Sequence, residues 1–508
     1  MSGVKEKLSL GRQIAFSVGQ LGWATLSGIV SSYLVYFYSP PSNSGIPVFI
    51  PQGTILGIFT VIGLITMSGR LLDAVTDPWI ATLSDRHNSP KGRRIPFLKF
   101  SALPFVILTI LIFFPPVFSL SALNVLWLTV TLLLFYIFFT FYVTPYFALI
   151  SEIGNTPNER LNISTYISVT FFIGTALASQ ATSIWNAVQK AAIEKYYSIS
   201  VSDFALFSKQ TGNIFSKEEL KNYILSNFSS ASEGSSGFLY SLTEKVNSIQ
   251  FTFIILSVFS LICLLIPVIF IDEKRYCHSK PSEIKMFKAL KEAFSKKEFL
   301  VFTISDLAYF LALTVMQTGL IFYITVLLEL PESMYSVLFI VLGVLSFLFY
   351  PFVNFAARKI GKKKLMIIAF FIFTVMYSLI FFMGKYFSFI PDYFQAYAIV
   401  ILASLPMAIF GILPNAIIAD IAEHDAVTTG NRKEAIFFGA RTFMSKMGQM
   451  LASLIFTYLL TFGKDVGNDL GIRLTGPIAA IFCFFGLIFF LMYDEKNILS
   501  IYKEKTEN

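Results

Sequence analysis

Arg70, Asp73, Thr76 and Asp77 fall within eight residues of an otherwise apolar stretch. Asp73 and Asp77 are an i,i+4 pair, Thr76 lies beside them, and Arg70 sits one turn earlier, so a helix presents them on one face. An ionised side chain at mid-bilayer costs about 2.5–3.5 kcal/mol on insertion scales. Two carboxylates and a guanidinium together therefore oppose insertion by several kcal/mol, more than packing alone accounts for. Carboxylates and a hydroxyl that converge without water are what a hard monovalent cation requires. A cation, Na+ held at Asp73 and Asp77, is the ligand expected here, with Thr140 from a later run of Phe and Tyr adding a hydroxyl. The alternative is an inert pair of carboxylates neutralised by Arg70, an unfavourable way to pack a membrane helix. Lys446, in the middle of the stretch 434–462, is expected to face the same cavity. A lysine opposite two aspartates offsets their charge when no ion is bound, and ion binding would release it. Arg70 and Lys446 are thus the candidate charge-coupling residues. Asp306, with Ser305 adjacent, suits an interfacial place as well as a cavity-facing one.

The elements that must position these groups follow from composition. The chain has 508 residues, 55% hydrophobic and 14% charged, with 56 Phe. Soluble domains run near 25% charged, so this is an integral membrane protein. A helix spans the ~30 Å hydrocarbon core with ~20 apolar residues. Twelve stretches qualify: 14–38, 54–83, 96–118, 122–151, 162–185, 249–272, 299–328, 334–357, 363–384, 393–421, 434–462 and 474–494. These runs are too long for barrel strands and open sheet edges cannot exist in lipid, so the expected fold is an all-α polytopic membrane protein.

The net charge of +8 is not a nucleic-acid signature, because the basic residues gather in alternate loops. Lys5, Lys7 and Arg12 precede helix 1, Arg86 to Arg94 follow helix 2, Arg358 to Lys364 follow helix 8, and Lys496 to Lys505 close the chain. Segments 39–53 and 114–121 carry no Lys or Arg, which predicts two cytoplasmic termini and a multi-pass protein of the plasma membrane (the inner membrane in a bacterium). Helix 1 is too long for a cleavable signal peptide and lacks a small-residue cleavage site after it. Cys263, Cys277 and Cys483 avoid the predicted external loops, and His87, His278 and His424 lie near the cytoplasmic face without metal-ligand spacing. No enzyme, no resident cofactor and no nucleic-acid partner is expected.

Residues 1–272 form the expected N-terminal six-helix half, with an external loop at 186–248 read as partly ordered cover or tether. Residues 273–298 form a basic linker in which Ile284, Phe287, Leu290 and Phe294 recur at helical spacing, an amphipathic helix on the inner leaflet. Residues 299–508 form the second half and tail. The halves echo each other. Ser84-Asp85-Arg86 with Lys91-Gly92-Arg93-Arg94 is matched by Arg358 to Lys364, and Pro145, Ala148, Ile150 and Glu152 by Pro414, Ala416, Ile418 and Asp420. Six plus six helices with related halves describe a secondary transporter whose site lies near the midplane. Glu152, Arg160, Asp420, Glu423, Asp425 and Arg432 sit at cytoplasmic helix ends. Together with Asp85, Arg86 and Arg93 they supply a candidate cytoplasmic gate of cross-half ion pairs. Trp23, Tyr142, Tyr166 and Trp185 could line a cavity, though aromatics in such a chain more often face lipid or pack helices.

Arg70-x-x-Asp73-Ala74-x-x-Asp77-Pro78, followed by Ser84-Asp85-Arg86 and Gly92-Arg93-Arg94, resembles the glycoside-pentoside-hexuronide:cation symporter family of the major facilitator superfamily. The resemblance continues through Pro145-Tyr146-x-Ala148-Leu149, Glu159-Arg160-Leu161-Asn162, Ala419-Asp420-Ile421 and Glu434-Ala435-Ile436. It implies sodium ligands at Asp73, Thr76, Asp77 and Thr140, and a helix 11 lysine at Lys446. The sugar site carries over poorly. Carboxylates of sugar-carrying members fall on Ala24 and Val143, an arginine on Ser168, and tryptophans on Gly411 and Phe147. Each sugar hydroxyl left unpaired costs about 1–3 kcal/mol. Trp23 and Tyr166 complete the expected pocket.

The resemblance implies a monomeric symporter that couples Na+ or H+ entry to uptake of an organic solute by alternating access, by family default a sugar or glycoside. The same family includes vertebrate sodium-coupled lysophosphatidylcholine carriers, which also have a long loop between helices 5 and 6. A lysophospholipid or other amphiphile is therefore the alternative cargo, and a non-transporting membrane sensor is a third reading.

Overall fold

The computed structural model describes residues 8–87, 89–153, 157–193, 195, 241–276, 293–429 and 434–499. Among them are twelve long helices: α1 Leu10–Tyr38, α2 Val61–Arg86, α3 Ile95–Ile112, α4 Ala122–Ile153, α5 Pro157–Ser179 and α6 Lys245–Phe270. The second set is α7 Lys297–Phe322, extended by a π turn Tyr323–Leu327, then α8 Ser333–Ile360, α9 Lys362–Ile380, α10 Asp392–Thr429, α11 Glu434–Leu459 and α12 Leu470–Leu491. Beyond α5 a turn at Gln180 leads into further helix over 181–193. The fold is all-α and polytopic, as expected.

Element boundaries differ from the hydrophobic runs in instructive places. The run starting at 54 is not helical until Val61. Thr54–Ile55 and Phe59–Thr60 form a two-stranded antiparallel ribbon, β1 and β2. The Thr60 side chain then caps α2 by accepting from Gly63 N at 3.1 Å, which satisfies one orphan donor of the first turn. Helix α5 starts at Pro157, where a missing N–H costs nothing. Helix α10 continues through its polar end to Thr429, eight residues past the apolar run. The predicted amphipathic helix falls mostly on 277–292, and the 186–248 loop mostly on 196–240, both outside the described residues, as are Cys277 and His278.

Ten of the described spans are long and apolar enough to cross a membrane. The two long helices that fall short are α2 and α11, which carry Arg70, Asp73 and Asp77, and Arg441 and Lys446. Each is too polar to face lipid all round, and they pack on one another.

Helices pair by the same plan in each half. In the first, α1 packs on α5 and α6, α3 on α4 and α6, and α2 on α4. In the second, α7 packs on α11 and α12, α9 on α10 and α12, and α8 on α10. The repeat extends to single carboxylates. Glu273, after α6, accepts from the backbone N–H of Arg93, Arg94 and Ile95 at 2.8–2.9 Å, at the start of α3. Glu495, after α12, accepts from Lys362 N and Lys363 N at 2.7 and 3.1 Å, at the start of α9. Both place a negative charge on the N–H groups of a helix start, which have no partner within the helix and where the helix dipole favours it. Gly92 has φ 107°, and a Cβ there would lie 2.3 Å from Glu273 Oε2, so only glycine lets this clasp close.

Both described ends of the chain lie on one face, the terminal face. The halves meet at the opposite, far face. There Tyr335 Oη donates to Ser32 Oγ at 2.9 Å, Ser336 Oγ to Ser179 O at 2.6 Å, and Ser42 N to Asp465 Oδ1 at 2.6 Å. On the terminal face, Arg94 pairs with Asp85 inside the first half, Lys362 with Asp420 inside the second, and Lys296, at the end of the linker, with Asp425 of the second half.

Candidate functional site

Helices α2 and α4 run parallel and meet in three rungs. Arg70 lies over the Tyr136 ring, 5.2 Å from its centroid. One turn on, Thr140 Oγ1 donates to Asp73 Oδ1 at 2.8 Å. One turn further, Thr144 Oγ1 donates to Asp77 Oδ1 at 3.0 Å. The i,i+3,i+7 spacing on α2 and the i,i+4,i+8 spacing on α4 bring these side chains into register.

Across the boundary between halves, Lys446 of α11 reaches into the second and third rungs. Its ammonium lies 2.9 Å from Asp73 Oδ1 and 2.5 Å from Asp77 Oδ2, and donates to the Asp73 carbonyl at 3.3 Å. The Asp73 side chain is fully buried, Lys446 is 11% exposed and Asp77 27% exposed, so the pair has a dry inner carboxylate and a wetter outer one. Asp73 Oδ2 is buried with no hydrogen-bond partner. A buried carboxylate oxygen without a partner is costly unless a charge faces it. Thr76 Oγ1 donates to Leu72 O at 2.9 Å and stands 3.4 Å from Thr140 Oγ1, which puts a second hydroxyl oxygen beside the one bonded to Asp73. Asp73, Asp77, Thr76, Thr140 and Thr144 thus present an all-oxygen donor set of the kind a hard cation accepts.

No ion pair joins Arg70 to either aspartate; the charge opposite them is that of Lys446. A second charged cluster lies in the other half. Arg441 of α11 grips Asp306 of α7 through Nε at 2.7 Å and Nη2 at 3.3 Å, and donates through Nη1 to Asn415 Oδ1 of α10 at 2.6 Å. The Asp306 side chain is fully buried.

The residues expected around a substrate divide. Trp23 is nearly buried, ringed by Phe139, Phe147 and Phe171 at centroid distances of 5.7–5.8 Å, and its Nε1 has no partner. Phe147 is exposed, Val143 and Tyr166 are half-buried, and Ser168 is exposed with its hydroxyl turned back to Ser164 O at 2.9 Å. Ala24 is fully buried and lines no open wall. It closes the α1–α5 seam against Gly174, where a Cβ would lie 2.8 Å from the Ala24 Cβ and 2.6 Å from Leu21 O. Gly411 is exposed and faces Tyr350 Oη at 2.9 Å, measured from where its Cβ would be.

Of the candidate gate, Asp85 pairs with Arg94 and Asp420 with Lys362, each in its own half, and Arg86 is exposed. Arg93 contributes its backbone N–H to Glu273. The Arg160 side chain and all of Arg432 lie outside the described residues. Thr144 and Arg441 went unnoticed in the sequence. Both had a signal: Thr144 follows Thr140 by one turn, and Arg441 is a second ionisable residue inside the stretch that holds Lys446.

Similar proteins fit this architecture. A stretch of 161 residues is 32% identical to the uncharacterized symporter YnaJ of Bacillus subtilis, covering 32% of this chain and 32% of that one. The match therefore spans under half of the relative's own length. The sodium-dependent lysophosphatidylcholine symporter 1 of Xenopus tropicalis is 22% identical over 478 residues, 90% of this chain and 80% of its own. The structure of the nucleoside transporter NupG superposes with a TM-score of 0.60 at 12% identity, covering 96% of this chain and 99% of that one, a likeness of fold. A family model described as MFS/sugar transport protein matches residues 15–493, and the chain belongs to that family of membrane transporters.

Proposed function

We propose that this protein is a secondary symporter in which Na+ entry, or H+ entry, drives uptake of an organic solute, and that the structure is its inward-facing state. The observation that carries the reading is the Lys446 ammonium between Asp73 and Asp77, one positive charge from one half shared by two carboxylates of the other. A cation bound at these oxygens takes over the role of Lys446. The lysine is then released, the α2–α11 tie loosens, and cation occupancy is coupled to the movement of the halves. Na+ is favoured over H+ because threonine oxygens surround the carboxylates, whereas a proton needs a single carboxylate. Asp85 and Asp420, paired within their halves here, exchange partners across the terminal face when the carrier turns outward, together with Arg86, Arg93, Arg160 and Arg432. The terminal face is cytoplasmic in this reading, the protein sits in the plasma or inner membrane, and it works as a monomer without a resident cofactor.

The cargo by family default is a sugar or glycoside. A second reading, a lysophospholipid or similar amphiphile, is favoured by the aromatic wall of Trp23, Phe139, Phe147 and Phe171, and by the half-buried Val143, which offers a sugar no polar partner. The experiment is uptake into proteoliposomes under an imposed Na+ gradient, against a proton gradient alone, with glycosides and lysolipids as competing cargoes. Equal uptake under the proton gradient sinks the sodium assignment. Gradient-driven accumulation that persists in both Asp73→Cys and Asp77→Cys sinks the site.

A further inference from the structure

Glu332 precedes the first turn of α8 on the far face and is 9% exposed. Its Oε1 accepts from Tyr36 Oη of α1 at 2.5 Å and from Lys245 Nζ of α6 at 2.5 Å. Its Oε2 accepts from Trp185 Nε1, in the helix that follows α5, at 3.1 Å. The carboxylate belongs to the second half and all three donors to the first. Around it, Thr182 and Ser336 share a hydrogen bond at 2.6 Å, and Tyr33 packs edge-on against Trp185 and Tyr335 at 5.1 and 5.6 Å. A buried carboxylate is stable where a counter-charge and further donors meet it, and losing one partner leaves it uncompensated. Separation of the halves at this face removes all three donors at once.

We propose that Glu332 is the latch of the far-face gate, held by Lys245, Tyr36 and Trp185 while the cavity opens to the terminal face and released when the carrier turns outward. This rests on the alternating-access reading, but not on which cation or solute is carried. The charge of Glu332 sets how long the far face stays shut. Lys245 is the counter-ion without which Glu332 favours water, and therefore opening. Tyr36 and Trp185 make the latch specific for an acceptor, so exchanging the charges, as in Glu332→Lys with Lys245→Glu, does not rebuild it.

The test is the distance between spin labels at Leu56→Cys and Lys385→Cys, on far-face turns of opposite halves, in the full chain in nanodiscs with Cys277→Ser. Tyr36→Phe removes one charge-assisted hydrogen bond, and the long-distance population relative to the short one is expected to rise about tenfold. Lys245→Met is expected to raise it further. Glu332→Gln with Lys245→Met, which removes both charges, is expected to return it toward the parent value. A latch variant with a lowered melting temperature and an unchanged distance distribution would show that Glu332 only packs the far face, overturning the proposal. Tyr36→Phe, which deletes one hydroxyl, serves if the charge variants fail to fold. No cargo or cation is needed, so failure of the symport reading leaves this result interpretable.

Discussion

Replacing Lys446 by Met should tighten cation binding while abolishing coupled transport. At 2.9 and 2.5 Å, the ammonium attracts each carboxylate by about 6 kcal/mol at an effective dielectric near 20. Desolvation of the ammonium and of both carboxylates, several kcal/mol per ion, offsets most of the sum. A net tie of about 3 kcal/mol is what an arriving cation has to replace, equivalent to about 100-fold in its dissociation constant. Methionine preserves the length of the side chain and removes that competitor. In Na+-free choline buffer the variant should melt lower than the parent, because two carboxylates face each other without a counter-charge, at a cost of about 3–5 kcal/mol. Titration with NaCl should restore stability with a midpoint about 100-fold below that of the parent. Gradient-driven accumulation should vanish, since the cation no longer displaces anything that ties the halves. The assay is thermal unfolding of the purified protein across a Na+ titration at constant ionic strength. A midpoint equal to or above the parent's would refute the idea that Lys446 and the cation compete for one place.

Three further outcomes follow from other contacts. Arg441→Gln strands the buried Asp306 and should lower stability by about 3–5 kcal/mol, whereas adding Asp306→Asn should recover most of it; equal melting of the single and double variants would show that the pair is not coupled. Ala24→Asp places a carboxylate in the closed α1–α5 seam, and Gly174→Ala forces a Cβ to within 2.6 Å of Leu21 O, so both should melt lower than the parent and the first should gain no glycoside binding; a glycoside-stabilised Ala24→Asp protein would overturn the seam placement. Lys464, whose Nζ donates to Ser39 Oγ at 3.0 Å and Gln52 Oε1 at 2.6 Å on the far face, has its amine pushed down to about 8 by burial, with Asp465 acting the other way. Between pH 8 and about 10 the unfolded chain binds more protons there than the folded one, so stability relative to Lys464→Met should rise with pH, by up to about 3 kcal/mol, with no such trend below pH 7.

What could be read in the sequence was whatever one helix decides by itself. Asp73, Thr76 and Asp77 share a face because 3.6 residues make a turn, and the twelve spans follow from the length of apolar runs. Thr140 and Lys446 are legible as polar residues inside apolar stretches, and the resemblance sets them at the same face; in the structure they lie 2.8 and 2.9 Å from Asp73 Oδ1. What stayed hidden depends on which helix lies opposite. Arg70 has the spacing to neutralise the aspartates, yet Tyr136 sits across from it and takes the guanidinium over its ring. The resemblance sets Ala24 where a sugar carrier would hold a carboxylate, but Gly174 brings α5 so close that the methyl is sealed between two backbones. Glu332 falls between the apolar runs 299–328 and 334–357, where nothing in its neighbourhood reveals three donors up to 296 residues away. The ribbon at 54–60 was absorbed into a hydrophobic run, since apolar length cannot tell two short strands from the first turns of a helix.

The polarity of α2 also bears on how the molecule is made. A ribosome delivers Asp73 to the membrane 373 residues before Lys446, so the counter-charge arrives only after most of the polypeptide has been synthesised. In the interval Thr140 and Thr144 of α4 can shelter the aspartates with hydrogen bonds but bring no positive charge. Nascent α2 should therefore linger at the insertion machinery or slip back toward water, settling into lipid when α11 docks. Truncation before residue 446 should leave it as the least securely inserted span, and damage confined to α11 should surface as misassembly at the opposite end of the chain.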